Sequence, residues 1–254
     1  FNDSSTILKK GLALTPVKFG ISFTQPHLNQ AAALIHLYPD GSIHLSHGGT
    51  EMGQGLFQKV AQIVADELGV PLSTLHIAST RSDKVPNASP TAASAGSDLN
   101  GMAARNAALT LRSRLATFLA EKHQCSAVDI QFANGKVRFG DSVMSFAEVV
   151  KSAYLARIQL SASGFYKTPK LDWDRMRKTG RPYYYFVWGA ACSEVIIDTM
   201  TGENKVLRTD LLHDVGHSLN PALDRGQIEG GFIQGLGWLT TEELVYDAEG
   251  RLRT

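Results

Sequence analysis

Short apolar runs bounded by turn residues alternate along this chain with stretches where apolar positions recur every three or four residues. Ala31 to Tyr38 reads as a strand, Pro39-Asp40-Gly41 as a turn, and Ser42 to Ser46 as the returning strand. A glycine-rich segment follows, His47-Gly48-Gly49-Thr50-Glu51-Met52-Gly53-Gln54-Gly55. Leu56, Val60, Ile63, Val64 and Leu68 then predict a helix that Gly69-Val70-Pro71 stops. Leu75 to Ser79 is short and extended. Thr80 to Ser97 is polar and rich in small residues. From Asp98, the positions of Leu99, Met102, Asn106, Leu109, Leu115 and Leu119 predict a helix of about 20 residues or more.

Val128–Phe132 and Lys136–Phe139 flank Asn134-Gly135, a hairpin signal. Ser145 and Glu148 stand at capping-box spacing before a short helix. Leu160 to Thr168 reads as extended and the charged Lys170–Arg181 as a surface loop. Tyr183 to Ile197 predicts one long strand, interrupted by small residues near Ala190, with Lys205 to Leu212 returning beside it. A last helix over Ala222–Glu243 contains Gly226, Gly230, Gly231, Gly235 and Gly237. Glycines cost helix stability, so packing or a close approach to the backbone should explain them. The expected fold class is α+β, with long helices packed on mixed or antiparallel sheets. Two lobes are expected, 1–160 with the glycine-rich loops and 161–254, which share strands.

Composition narrows the function classes. With 254 residues, 43% hydrophobic and 19% charged, the chain reads as globular rather than disordered. A net charge of +1 gives no support to a nucleic-acid scaffold. Cys125 and Cys192, the only two cysteines, cannot build an iron–sulfur cluster or a four-cysteine zinc site, and reduced thiols in a cytoplasmic setting are expected. No apolar run approaches the ~20 residues of a spanning helix, so no membrane role is expected. The chain starts at Phe1 rather than Met, and is read as a fragment of something larger.

Strand, glycine-rich loop and helix in that order make a natural anion site. The spacing is not that of a dinucleotide fingerprint, since Gln58 stands where the third glycine would be, and no Gly-Lys-Ser/Thr follows. A tight turn is the plain alternative. Gln54, between two glycines, can both donate and accept. In the second polar segment, Asn87 to Asp98, small side chains would let a ligand touch backbone amides; ordinary helix capping by Ser97 or Asp98 is the alternative. Asn220 to Gly235 adds Gln227 and Glu229 among glycines. Three such segments fit a large, hydrogen-bond-rich cofactor better than any one alone. Neither His44 with His47 nor His213 with His217 has convincing zinc geometry, and core or surface roles are expected for them.

Several ordered motifs together resemble the xanthine dehydrogenase and oxidase family, specifically its second molybdenum-cofactor-binding part. They are Phe19-Gly20-Ile21-Ser22-Phe23-Thr24, Gly48 to Gly55, Ser89-Pro90-Thr91-Ala92-Ala93-Ser94, Ser163-Gly164-Phe165-Tyr166, Ala191-Cys192-Ser193-Glu194-Val195 and Asp214-Val215-Gly216-His217-Ser218-Leu219-Asn220-Pro221. The resemblance implies that Met52, Gly53 and Gln54 lie against molybdopterin, with Gln54 near a metal oxo group. It implies that Ala93, Ser94, Ala95 and Gly96 hold the phosphate tail, although many relatives carry serine where Gly96 stands. Gln227 would hydrogen-bond the pterin. Phe23 would stack on a purine substrate, Thr24 would hydrogen-bond it, and Ala92 and Ala93 would line the pocket. No side chain would ligate the metal.

The same resemblance implies hydroxylation of hypoxanthine and xanthine to urate, with the cofactor carrying the redox step and a glutamate acting as base. Electrons would leave through 2Fe-2S clusters and FAD to NAD, in iron–sulfur and flavin domains or a subunit outside this chain. The parent would be a cytoplasmic dimer or heterotetramer. The family's Gly-Glu-Pro-Pro base motif has no match here, so the general base is expected beyond Thr254, no catalytic residue in the chain, and the isolated chain inactive. Glu51 is the one tempting substitute base, but the resemblance makes it a loop residue. An aldehyde oxidase-type fragment and a non-catalytic cofactor-binding or assembly module stand as alternatives.

Overall fold

The computed structural model describes every residue from Phe1 to Thr254. In chain order the elements are β1 (Leu8–Ile21), β2 (Gln30–Leu37), β3 (Ile43–His47), α1 (Leu56–Leu68), β4 (Leu75–Ile77), α2 (Gly96–His123), β5 (Gln131–Ala133), β6 (Lys136–Phe139), β7 (Ser142–Ser145) and α3 (Phe146–Leu155). After them come β8 (Ser161–Lys167), β9 (Asp172–Asp174), β10 (Thr179–Arg181), β11 (Tyr185–Asp198), β12 (Asn204–His213) and α4 (Pro221–Thr240). The fold is α+β, as expected. Contacts gather into two compact units, Gly20–Tyr185, and Phe1–Phe19 with Phe186–Thr254. The expected lobes, 1–160 and 161–254, divide the chain elsewhere. β8 pairs with β2 from Ser161 to Lys167, which keeps it in the Gly20–Tyr185 unit.

In that unit a four-stranded sheet runs in the order β4-β3-β2-β8. β2 lies antiparallel to both β3 and β8, and β4 joins β3 in parallel. The short apolar runs of the sequence have their cause here, because Ile35, Ile43 and Leu45 point into the core and are fully buried. Helix α1 buries Leu56, Val60, Val64 and Leu68, four of the five residues whose spacing predicts it, and packs chiefly on α2. It ends at Gly69, at φ +64°, where a Cβ would lie 2.3 Å from the Phe132 carbonyl carbon. The long helix α2 begins at Gly96, two residues before the expected start, and packs on β2, β8 and α1. Its approach to β8 is set by Gly164, where a Cβ would stand 2.0 Å from the Ala103 carbonyl oxygen.

β5, β6 and β7 form a separate sheet, with Asn134 and Gly135 at positive φ in the first hairpin turn. The capping box at α3 is present: Ser145 Oγ accepts from the Glu148 N–H at 3.2 Å and the Glu148 carboxylate accepts from the Ser145 N–H at 2.8 Å. The charged Lys170–Arg181 segment contains one small hairpin, β9 with β10.

The other unit holds the three-stranded sheet β1-β11-β12 and helix α4. β11 and β12 are antiparallel, with a bulge between Glu194 and Val195. Every residue of Phe1–Phe19 and Phe186–Thr254 is at least partly exposed, so the buried core lies wholly within Gly20–Tyr185. On α4, a Cβ at Gly226, Gly230, Gly231 or Gly235 would meet nothing within 4 Å. The close approach expected for those glycines is not supplied by this chain.

Candidate cofactor and substrate site

The glycine-rich loop begins where β3 runs out at His47. That imidazole is 3% exposed, and its Nδ1 accepts from the Gly49 N–H at 3.1 Å. Its Nε2 has no hydrogen-bond partner, and the ring meets the Phe57 ring edge-on at 5.0 Å between centroids. Burial pushes the His47 pKa down to about 4, against a smaller upward pull from Glu51. A neutral imidazole with an acceptor at Nδ1 therefore anchors the loop. Gly49 sits so close to α2 that a Cβ would lie 2.7 Å from Asn100 Nδ2, a group that itself donates to the Gly96 carbonyl at 3.0 Å.

The N-terminus of α1 is an anion site, and the anion is the chain's own. The Glu51 carboxylate accepts from the N–H groups of Gly53 at 2.9 Å, Gly55 at 3.0 Å and Phe57 at 2.9 Å. Burial opposes its charge, but the N–H groups of Phe57, Gly55, Gly53 and Leu56 together hold its pKa below the usual carboxylate value. Engaged in this way, Glu51 is a loop-closing group. Gln54 also turns onto its own loop: its Oε1 accepts from the Met52 N–H at 2.6 Å and its Nε2 donates to the Thr50 carbonyl at 2.8 Å. Met52 and Gly53 at the tip are exposed.

The second polar segment lies beside this loop. The Thr50 N–H donates to Thr91 Oγ1 at 2.8 Å, and Thr80 Oγ1 donates to the Gly49 carbonyl at 2.5 Å. Ala93 and Ser94 both adopt left-handed backbone, at φ +56° and +54°, an uncommon state for non-glycine residues. Helix α2 then starts from Ala95 with no side-chain cap. Neither Ser97 nor Asp98 supplies the capping considered for them. The N–H groups of the first turn thus make a positive helix end with no acceptor from the chain's side chains. Ala92 and Ser94 are exposed, Ala93 and Gly96 partly so, and Ala95 is buried.

A third loop joins the same end of the sheet. Asn87 Nδ2 donates to Gln30 Oε1 at 2.9 Å and Ser89 Oγ to the Gln30 carbonyl at 2.8 Å, tying this segment to the start of β2. Immediately before Gln30 is the loop carrying Phe23, half-buried, and Thr24, exposed. The Gly20–Tyr185 unit thus gathers Phe23, Thr24, Met52, Gly53, Gln54, Ala92, Ala93, Ser94, Ala95 and Gly96 on linked loops. Gln227 belongs to the other unit, exposed on α4.

Sequence reading passed over Asn29, Thr91, Asn100 and the Asp98–Tyr185 pair. Tyr185 Oη donates to Asp98 Oδ2 at 2.7 Å in the first turn of α2. Burial raises the Asp98 pKa and the Tyr185 hydrogen bond partly lowers it. Polar residues used in this way carry no periodicity, and the short polar context around each was the only available signal.

The sequence model of one family, described as "Molybdopterin cofactor-binding domain", matches residues 1–254. The chain belongs to this family. It is 48% identical over 254 residues to the xanthine dehydrogenase/oxidase of Felis catus, covering 100% of this chain and 18% of that protein. It is likewise 48% identical over 246 residues to the xanthine dehydrogenase of Oryza sativa subsp. japonica, covering 97% of this chain and 17% of that one. The chain therefore spans less than a fifth of these relatives' length. Among solved structures, quinoline 2-oxidoreductase from Pseudomonas putida 86 matches with a TM-score of 0.78 and 25% identity, over 97% of this chain and 32% of that one. A CO dehydrogenase from Oligotropha carboxidovorans shares the fold at a TM-score of 0.75 and 23% identity, over 97% and 31% of the two chains.

Proposed function

We propose that this molybdopterin-binding chain is the part of a xanthine dehydrogenase that cradles the cofactor's tail and flanks the purine. The observation that carries the reading is the uncapped start of α2, reached through left-handed Ala93 and Ser94 and tied to the glycine-rich loop by Thr50 and Thr91. Backbone N–H groups with no internal acceptor, beside small side chains, fit a phosphate tail. The N-terminus of α1 does not compete for it, because Glu51 fills that site.

In this reading Ala93, Ser94, Ala95 and Gly96 hold the tail, while Met52, Gly53 and Gln54 lie along the pterin and Gln227 hydrogen-bonds it. Phe23, Thr24, Ala92 and Ala93 face the substrate. When bound, the cofactor supplies the oxidation; these residues bind, orient and exclude water. The general base, the 2Fe-2S clusters, FAD and the NAD site belong to the rest of the parent, a cytoplasmic dimer or heterotetramer. No helix of this chain is long and apolar enough to cross a membrane. The xanthine dehydrogenases of cat and rice, at 48% identity, support a purine over an aldehyde substrate.

The test is to purify the natural protein that carries this span, then measure its molybdenum, its pterin and its production of urate from xanthine. Stoichiometric metal with urate formation supports the reading, and absence of both overturns it. The isolated 254-residue chain is expected to form no urate.

A further inference from the structure

The loop between β1 and β2 is organised by one side chain. Asn29 is 2% exposed, and its amide pairs with both backbone groups of Phe23. Oδ1 accepts from the Phe23 N–H at 2.7 Å, and Nδ2 donates to the Phe23 carbonyl at 2.9 Å. The same Nδ2 lies 3.3 Å from the Gln25 carbonyl and 3.4 Å from that of Pro26. Asn29 thus treats Phe23 as a strand partner would, satisfying its donor and its acceptor at once. The clamp is held in turn by the sheet, since the Asn29 carbonyl accepts from the Thr168 N–H at 3.0 Å, just past β8.

The residue before Phe23 shows why a clamp is needed. Ser22 is 5% exposed and stands at φ +145°, outside the regions that L-residues ordinarily adopt. A backbone strained there relaxes unless neighbouring contacts fix it. The two bonds to Phe23 supply that restraint, and so fix where the Phe23 ring and the Thr24 hydroxyl leave the backbone.

We infer that Asn29 is a positioning residue for substrate choice, holding Phe23 and Thr24 so that the parent enzyme favours flat heteroaromatic substrates over small aliphatic ones. This rests on the proposal that Phe23 and Thr24 face the substrate. A small aldehyde has no plane to stack and loses little when the ring moves. A purine loses both stacking and hydrogen-bond alignment.

The test uses the full-length enzyme with Asn29→Ala, Asn29→Asp and, as reference, Phe23→Ala. Asn29→Asp keeps the acceptor and the volume but turns a carboxylate oxygen toward the carbonyls. Both Asn29 variants are expected to raise KM for xanthine about tenfold, the scale of losing one well-placed hydrogen-bonded contact. Their kcat/KM for a small aliphatic aldehyde should change less than about twofold, with molybdenum content unchanged. Amide hydrogen exchange at Phe23 should quicken in Asn29→Ala, a readout independent of turnover. If Phe23→Ala leaves the xanthine KM unchanged, the substrate-pocket reading itself fails. If Phe23→Ala raises it and the Asn29 variants do not, or if they weaken both substrates equally, the inference about Asn29 is overturned. Loss of molybdenum or of folding in both Asn29 variants makes Asn29 a purely structural residue and also overturns it.

Discussion

His47 makes the glycine-rich loop sensitive to acid, and the size of the effect follows from its burial. In the folded chain the imidazole titrates at about 4, against 6.5 for an unperturbed histidine. Above pH 6.5 it is neutral whether folded or unfolded, and contributes no pH dependence. As pH falls from 6.5 toward 4 the unfolded chain takes up a proton that the folded chain refuses, so stability is lost across that window. At about 1.4 kcal/mol per pH unit, the loss from this group is about 1.5 kcal/mol at pH 5.5 and about 2.5 kcal/mol at pH 4.5. Other groups titrate too, so the measurement must be a difference. His47→Asn is the reference, because a short amide oxygen can also accept from the N–H two residues on while carrying no titratable ring. Urea unfolding followed by far-UV circular dichroism draws most of its helical signal from α1, α2 and α3, all within Gly20–Tyr185, and α4 contributes equally to both proteins and cancels in the difference. At pH 7 the variant should be the less stable, having lost the Phe57 contact. By pH 4.5 the gap should shrink or reverse by about 2.5 kcal/mol. A gap that stays constant from pH 7 to pH 4.5 would refute the argument.

Gly164→Ala should cost about 3 kcal/mol or more in urea unfolding, since its Cβ would lie 2.0 Å from the Ala103 carbonyl and 2.5 Å from the Ala107 nitrogen, neither of which can swing aside. Glu51→Gln keeps an acceptor but loses the charge at the start of α1, and should lower stability by about 1 kcal/mol in thermal unfolding at pH 7. Because the Glu51 pKa is depressed, that difference should be lost as pH falls through its folded value. Tyr185→Phe removes the bond that lowers the Asp98 pKa, so carboxyl NMR titration should show Asp98 protonating at higher pH than in the unaltered chain. In the 254-residue chain, Gly230→Ala should stabilise α4 by about 0.5–1 kcal/mol, because its Cβ meets nothing within 4 Å.

The sequence was most legible where burial in the core or a local capping rule dictates the residues. β2 and β3 are short runs bracketing a Pro-Asp-Gly turn, α1 recurs at helical spacing, and the Ser145–Glu148 box is a local rule; all three formed where expected. β1 was not foreseen, because almost all of Leu8–Ile21 is at least partly exposed and no face imposes a two-residue period. The β9–β10 hairpin was hidden in a run of charge. The candidate site was legible through its motifs and not through spacing. That Glu51 and Gln54 spend their polar atoms on their own loop depends on side-chain rotamers that a motif does not specify. Asn29, which closes on a residue six positions earlier, gives no periodic signal at all.

The discontinuous unit has a kinetic consequence. β1 and β11 are hydrogen-bonded neighbours, yet the whole Gly20–Tyr185 unit lies between them in the chain. Zipping them first would close a loop of roughly 165 residues before most contacts that reward it exist. The Gly20–Tyr185 unit removes that obstacle once folded, because its two ends meet: the Tyr184 N–H donates to the Ile21 carbonyl at 3.2 Å, and Gly20 packs against the Tyr183 ring. Formation of the β1–β11 ladder should therefore follow that unit in time, and a chain halted in refolding should hold α2 while its outer strands are still apart.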